Sequence, residues 1–313
     1  MSDWPVGIST GCFYFMDFFD CLEPICRGGF SMIEIASSKT HLDYHDKHAM
    51  KKAARTLEER GIEAYSFHAP FREDIDVTSL DEGGRAHARR EIFAAADAAA
   101  ILGVRYFVFH PGPEKSYHPP PEERIRRMNH AAEIINEVSE HCHKLGIGIV
   151  LENMLPHLFF GNMRDMLWII GAIQSPLVGT CLDTGHAAIA GDLHRIMYKM
   201  SGYLQYLHAN DNHGKDDLHL CPGQGKIDWH RLLQELNEVR FQGALILELM
   251  GDARKNPQTV MDEARQSRRF LRDICRRLTV GKGSGPHRLC FAGGRGPPTH
   301  NSALGTPSPS QTR

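Results

Sequence analysis

This chain lacks three features, and each absence argues against a class of protein. Its eight cysteines are irregularly spaced without a Cys-x-x-Cys pair, so we expect reduced thiols rather than a disulfide framework. We find neither an apolar run long enough to span a membrane nor a secretory signal pattern, which favours a cytoplasmic location without a membrane partner. The formal net charge over 313 residues is -2, so global charge gives no support for a duplex-DNA-binding face.

What the chain does contain is a regular alternation of strand and helix signals. Hydrophobic residues make up 42% of it, enough for a full core. Short apolar runs alternate with helical stretches, the pattern of a parallel sheet. Eight such units predict an α/β fold, one (β/α)8 TIM barrel over residues 1–280. Two doubly wound domains are the alternative, but no Gly-rich phosphate turn follows the first strand and no linker interrupts the middle of the chain.

The predicted elements follow one another closely. Strands are expected at residues 6–10, 32–36, 64–68, 106–110, 148–153, 178–183, 204–209 and 244–249. Helices are expected at residues 18–27, 47–60, 85–102, 121–145, 163–171, 193–200, 229–239 and 257–278. Residues 281–313 are rich in Gly, Pro, Ser and Thr and have almost no apolar periodicity. This composition predicts a low-complexity, disordered C-terminal tail without a catalytic part.

Several predicted strands end in a side chain of a type that binds metal ions. Glu152, Asp183 and Glu248 follow the apolar pairs Val-Leu, Cys-Leu and Ile-Leu. A charge buried there is costly unless it is paired or metal-bound, and no Arg or Lys occupies a comparable strand end. His208 ends the seventh strand and adds the imidazole that suits such a set. Because a parallel barrel brings its strand ends to one mouth, we expect these four residues to share one divalent metal.

Further histidines accompany this set. His68 and His110 each close a strand shortly before a proline, which predicts substrate contacts or a second metal. His186 follows Asp183 by three residues, so it either binds metal or orients substrate hydroxyls, and the spacing leaves both open. The cluster that begins at His41, before the second helix, is expected to be solvated.

The order of the motifs resembles one known family. His-Ala-Pro, His-Pro-Gly, Glu-Asn-Met, Asp-Thr-Gly-His, His-Ala-Asn-Asp, Asp-Leu-His, Gly-Gln-Gly-x-Ile-Asp-Trp and Leu-Glu-Leu occur in this order between Val6 and Leu278. Together they are similar to the xylose-isomerase-like TIM barrel superfamily, in its sugar phosphate isomerase/epimerase branch. That branch is related to the endonuclease-IV-like apurinic endonucleases. Each motif is short, so the specificity of the resemblance lies in their order.

This resemblance implies a metal-dependent isomerase or epimerase of carbohydrate metabolism, with a sugar or sugar phosphate as substrate. In such members the residues matching Glu152, Asp183, His208 and Glu248 hold one divalent ion, for which Mn, Zn, Mg and Co are the candidates. The two Glu move protons at the carbon next to a carbonyl, through an enediolate. The His matching His186 contacts substrate oxygens. The implied catalytic residues are therefore Glu152, Glu248 and His186, and the expected substrate contacts are His68, His110 and His186.

Two alternative activities stay open. In the endonuclease members, which are zinc phosphodiesterases acting on abasic DNA, three zinc ions take further ligands, and the matching positions here carry suitable residues: His68, His110, His186, Asp217 and His219. The acidic segment 70–85 and the lack of an Arg/Lys-rich loop argue against a nucleic-acid partner. A metal-dependent keto-cyclitol dehydratase would use the same parts. The particular sugar, its phosphorylation and a homo-oligomeric state are left open, with Arg72, Lys115 and Lys226 as candidates to meet a phosphate.

Overall fold

The apolar runs of the sequence form eight parallel strands of one closed barrel in the computed structural model, which describes residues 4–175, 178–250 and 256–280. The strands are β1 (Val6–Ser9), β2 (Met32–Ala36), β3 (Glu63–His68), β4 (Tyr106–Phe109), β5 (Gly148–Glu152), β6 (Val178–Asp183), β7 (Leu204–Ala209) and β8 (Ala244–Leu247). Each strand pairs with its sequence neighbours, and β1 closes the ring against β8. The predicted TIM barrel is confirmed. The predicted tail at 281–313 lies outside the described residues.

Helices connect the strands and cover the outside of the barrel. In the part of the chain that the structure describes they are α1 (Phe18–Arg27), α2 (Lys47–Arg60), α3 (Glu82–Leu102), α4 (Pro121–Lys144), α5 (Met163–Ala172), α6 (Thr184–Ile189), α7 (Leu193–Met200), α8 (Trp229–Glu238) and α9 (Pro257–Val280). Gly61 and Gly103 end α2 and α3 with φ of 63° and 70°, which glycine adopts without steric cost. None of these helices is long and apolar enough to cross a membrane.

Two α-helices, α3 and α6, differ most from the sequence prediction. Helix α3 begins at Glu82, three residues early, because the Asp81 side chain accepts a hydrogen bond from the Gly84 backbone N–H. Helix α6 was not predicted. It forms because the Asp183 carboxylate accepts the His186 N–H at 2.6 Å and so caps the helix. An N-cap carboxylate of this kind satisfies a backbone donor that the helix itself leaves unpaired.

The interior of the barrel explains why one end of it collects polar side chains. One interior layer contains apolar or aromatic side chains, among them Val108, Val150, Cys181, Tyr206 and Ile246. Since side chains of a strand alternate between its two faces, the residue two positions further on points the same way. These next positions are occupied by His110, Glu152, Asp183, His208 and Glu248. A filled interior layer therefore lies directly beneath a polar layer at the carboxyl ends of the strands.

The expectation that His41 is solvated was wrong. His41 is 3% exposed, its ring meets Phe18 edge-on, and its Nδ1 lies 2.7 Å from the Met16 carbonyl oxygen. The segment before α2 returns to pack on α1, a contact between residues distant in sequence. Local polarity did not reveal it.

Candidate metal centre

Four predicted ligands from four consecutive strands converge at the carboxyl end of the barrel. One ligand atom from each of Glu152, Asp183, His208 and Glu248 lies within 4.8 Å of the others. The Nδ1 atom of His208 is 3.2 Å from Glu152 Oε1 and 3.2 Å from Glu248 Oε2. Glu152, Asp183 and His208 are buried, whereas the Glu248 side chain keeps 20% of its surface exposed. We refer to these four residues as the central group.

The central group fits a divalent cation. His208 Nδ1 is buried and has no hydrogen-bond partner, although it faces two carboxylates. A buried ring nitrogen without a partner is costly, and a bound cation would supply that partner. Three carboxylates and one imidazole form a donor set that suits zinc, manganese, cobalt or magnesium. Metal ligation by these residues stays a prediction that their arrangement favours.

Two further groups flank the central one. His68 Nε2 and His110 Nε2 each lie 3.2 Å from Glu152 Oε2. On the other side, Asp183 shares a second cluster with His186 and His219. Each flanking group has ligand atoms close enough together to hold an ion. The structure thus brings the predicted additional ligands to the same mouth as the central group.

The predicted residue Asp217 joins the second flanking group. Its Oδ2 is 3.4 Å from His186 Nε2 and 3.3 Å from His219 Nε2, and its Oδ1 is buried without a hydrogen-bond partner. His219 has a φ of 41°, an uncommon conformation for a residue with a side chain. The loop after β7 therefore holds Asp217 and His219 against the helix that carries His186.

Two asparagines hold Asp183 in place. The Asn153 side chain bonds the Asp183 backbone twice, accepting from its N–H at 2.8 Å and donating to its carbonyl at 3.0 Å. Asn210 donates from Nδ2 to Asp183 Oδ2 at 2.6 Å. Asn153 belongs to the Glu-Asn-Met motif and Asn210 to the His-Ala-Asn-Asp motif, but the sequence analysis assigned neither of them a role. Asn153 directly follows the predicted ligand Glu152, and Asn210 lies two residues after the predicted ligand His208. This proximity to a predicted ligand was the sequence signal that could have identified them.

The most important residue that sequence reasoning missed is Glu34. It lies in the middle of β2, is 0% exposed, and faces His208 across the barrel with Oε2 3.0 Å from His208 Nε2. Its context, Met-Ile-Glu-Ile-Ala, is as apolar as that of the predicted ligands. A carboxylate within an apolar strand was therefore a usable signal. It was passed over because Glu34 does not stand at the strand end.

The electrostatics of the mouth depend on imidazoles neutralising carboxylates. Burial alone would raise the pKa of Glu152, but His208 and His110 hold it well below its usual range. Burial and the nearby Glu152 and Asp183 carboxylates raise the pKa of Glu248. Burial would lower the pKa of His110, yet Glu152 and Glu114 raise it to about 10. The two glutamates of the central group thus have pKa values displaced in opposite directions in the metal-free protein.

Metal affinity should increase with pH. Burial opposes protonation of His208, yet surrounding anionic groups, Glu248 among them, raise its pKa well above 6.5. In the metal-free protein this imidazole therefore keeps its proton through neutral pH, and a cation must displace it. Below that raised pKa, affinity should rise about tenfold per pH unit for each proton released. Titration calorimetry in two buffers of different ionisation enthalpy counts the protons, and an affinity that is constant between pH 6 and 8 would contradict the prediction.

A cavity of ≈ 630 Å³ opens beside this centre. It is lined by His68, His219 and Glu248 and also by Phe71, whose ring centroid lies 4.8 Å from that of His68. Of the other predicted substrate contacts, His110 and His186 border separate small pockets. The cavity size is that of a small-molecule site. Glu248 therefore faces the space that a substrate can enter.

One cation considered for a substrate phosphate lies in this cavity. Arg72 lines it, but its guanidinium is already bound to both carboxylate oxygens of Asp74 at 2.8 Å. Lys39 also lines the cavity, and within the described part of the chain it makes no hydrogen bond or ion pair.

Comparison with known proteins finds a matching family model and relatives that include sugar epimerases. The model of the family described as "Xylose isomerase-like TIM barrel" matches residues 26–274. An uncharacterised protein of Methanocaldococcus jannaschii is 29% identical over 260 residues, covering 79% of this chain and 84% of that protein. The fructoselysine 3-epimerase of Escherichia coli O157:H7 is 25% identical over 195 residues, covering 60% of this chain and 70% of that protein. The crystal structure of a D-tagatose 3-epimerase-like protein superposes with a TM-score of 0.77 at 25% identity, covering 89% of this chain and 100% of that one.

Proposed function

Because this chain belongs to the xylose isomerase-like TIM barrel family, we propose that it is a divalent-metal-dependent isomerase or epimerase of a sugar or sugar phosphate. The observation that carries the proposal is the central group at the edge of a substrate-sized cavity. Glu152 on β5 and Glu248 after β8 approach His208 Nδ1 from strands separated by β6 and β7. The epimerase names of the relatives support a carbohydrate substrate.

The chemistry of such a reaction needs two groups that move protons. A proton next to a carbonyl is weakly acidic, and a divalent cation held by the central group would stabilise the negative charge of the enediolate. Glu248 opens to the cavity and removes the proton at that carbon. Glu152, which is 2% exposed, is ionised in the metal-free protein, so it returns a proton from the other side only after it has taken one up. His186 orients substrate hydroxyls from the neighbouring flanking group.

The test is exchange of substrate hydrogen with solvent. Purified protein loaded with Mn²⁺ or Zn²⁺ is incubated with candidate ketoses and aldoses in deuterated water, and deuterium is sought at the carbon next to the carbonyl. The proposal expects incorporation together with formation of the isomer or epimer. A keto-cyclitol offered in parallel tests the dehydratase alternative, because dehydration yields an unsaturated product and water. Absence of exchange in every compound would count against proton transfer as the reaction class.

A second candidate function is favoured by one specific observation. The two flanking groups supply His68, His110, His186, Asp217 and His219 around the central one. These are the residues that the resemblance to the endonucleases implies as further ligands of three zinc ions. An assay with DNA containing an abasic site tests it, and metal analysis of the same sample separates the two readings. One ion per chain supports the isomerase or epimerase. Three zinc ions per chain together with rapid strand incision, and no exchange in any sugar, support the endonuclease.

A further inference from the structure

We propose that Glu34 is a positioning residue that determines which nitrogen of His208 faces the metal site. The proposal rests on the proposed metal centre. Glu34 Oε2 lies 3.0 Å from His208 Nε2, and both residues are 0% exposed. An ionised carboxylate only accepts hydrogen bonds, so Nε2 must carry the proton and donate it. The lone pair of the neutral ring is then on Nδ1, the atom that faces Glu152 and Glu248.

The Glu34 carboxylate is itself held in place by two other donors. Ser66 donates from Oγ to Glu34 Oε2 at 2.8 Å, and the Tyr206 hydroxyl donates to the same oxygen at 3.1 Å. Three donors from β3 and β7 therefore converge on one oxygen atom. This arrangement leaves the carboxylate little freedom to rotate away from His208, and it fixes the orientation of the imidazole ring as well as its tautomer.

Ligation is not the role of Glu34. Its bonded oxygen is engaged with Nε2, whereas the ligand atoms of the central group surround Nδ1. Its other oxygen, Oε1, is buried without a hydrogen-bond partner. A carboxylate bonded to the far nitrogen of a metal-binding histidine orients the ring and makes it a stronger donor. Without Glu34, the alternative tautomer would direct an N–H at the cation's position.

The experiment measures metal affinity, which a role limited to folding would leave unchanged. Zn²⁺ and Mn²⁺ are titrated into the metal-free wild type and Glu34→Gln by competition with a chromogenic chelator. Removing such a partner typically weakens binding 10–100-fold, and we expect a loss in that range. Thr180→Val is the matched control, because Thr180 is equally buried and its hydroxyl has no partner. Circular dichroism of each metal-free variant establishes that the protein compared is folded.

Each outcome decides the proposal. Affinity of folded Glu34→Gln within about twofold of wild type overturns it, and so does an equal loss in Thr180→Val. If Glu34→Gln does not fold, Tyr206→Phe takes its place, since it removes one hydroxyl bond and keeps the carboxylate. A loss of about 2–10-fold is then expected, and no loss overturns the proposal. A wild type that binds no divalent metal overturns both this inference and the proposed function. If the wild type binds metal and is active, normal metal binding by Glu34→Gln overturns only the inference.

Discussion

Glu248→Gln should lower turnover by about 10²-fold or more while the barrel stays folded, because general base catalysis contributes about 10²–10⁴-fold. The amide is nearly isosteric with the carboxylate but cannot accept a proton from carbon. Glu248 is the glutamate of the central group that opens to the cavity. Because Glu248 lies just beyond the end of β8, we expect the substitution to change the stability of the fold little. The loss should therefore appear in turnover more than in stability.

The measurement compares proton exchange and product formation by the variant and the wild type at equal metal content. Metal must be determined on the same samples, since Glu248 is also a predicted ligand and weaker binding would lower activity by itself. Asp43→Asn is the matched control. It makes the same chemical change in the same cavity, outside the three groups, and should cost less than about tenfold. A fully metallated Glu248→Gln enzyme with near wild-type exchange would falsify the assignment of Glu248 as a base.

Removing the metal should abolish turnover. Without a cation, Glu152, Asp183 and Glu248 form a cluster of negative charge with only imidazoles to neutralise it. The charge that would stabilise a developing negative charge on a substrate carbonyl oxygen is then missing from the centre of the mouth. Activity should fall to background after chelation and return when an ion is restored.

Metal removal should also lower the free energy of unfolding. A ligand present at a thousand times its Kd stabilises a folded protein by about 4 kcal/mol, so the loaded and metal-free forms should differ clearly in thermal unfolding. Magnesium, manganese, cobalt and zinc are added back separately, and recovery of turnover identifies the ion that the reaction needs. Undiminished turnover in protein verified to contain no metal would exclude a catalytic metal, whatever the unfolding data show.

Much of the fold and of the candidate site was predictable because its signals are local. An apolar run of four to six residues defines each strand, and the strand–helix alternation leads to a parallel barrel. Strand direction then sends all carboxyl ends to one mouth. Glu152 and Asp183 end their strands, His208 is the last residue but one of β7, and Glu248 follows β8 directly. Their convergence was therefore determined by the sequence once the barrel was recognised.

Other features were decided only by tertiary structure, because they depend on residues far apart in the chain. Glu34 bonds His208 across 174 positions, and no spacing rule connects the middle of β2 to the end of β7. The hydrogen bonds of Asn153 to Asp183 likewise depend on how β5 registers against β6.

The solvent exposure of the site residues was likewise predicted only in part from the sequence. Strand patterns predicted that Glu152 and Glu248 both reach the mouth, but the loops above decide that Glu152 is buried and Glu248 faces the cavity. The burial of His41 follows from packing on α1 rather than from its polar neighbours. The sequence by itself therefore determined the barrel and the side chains that it gathers at one end. Tertiary packing decided their partners, their protonation and their access to substrate, because these depend on through-space distances that a linear pattern does not contain.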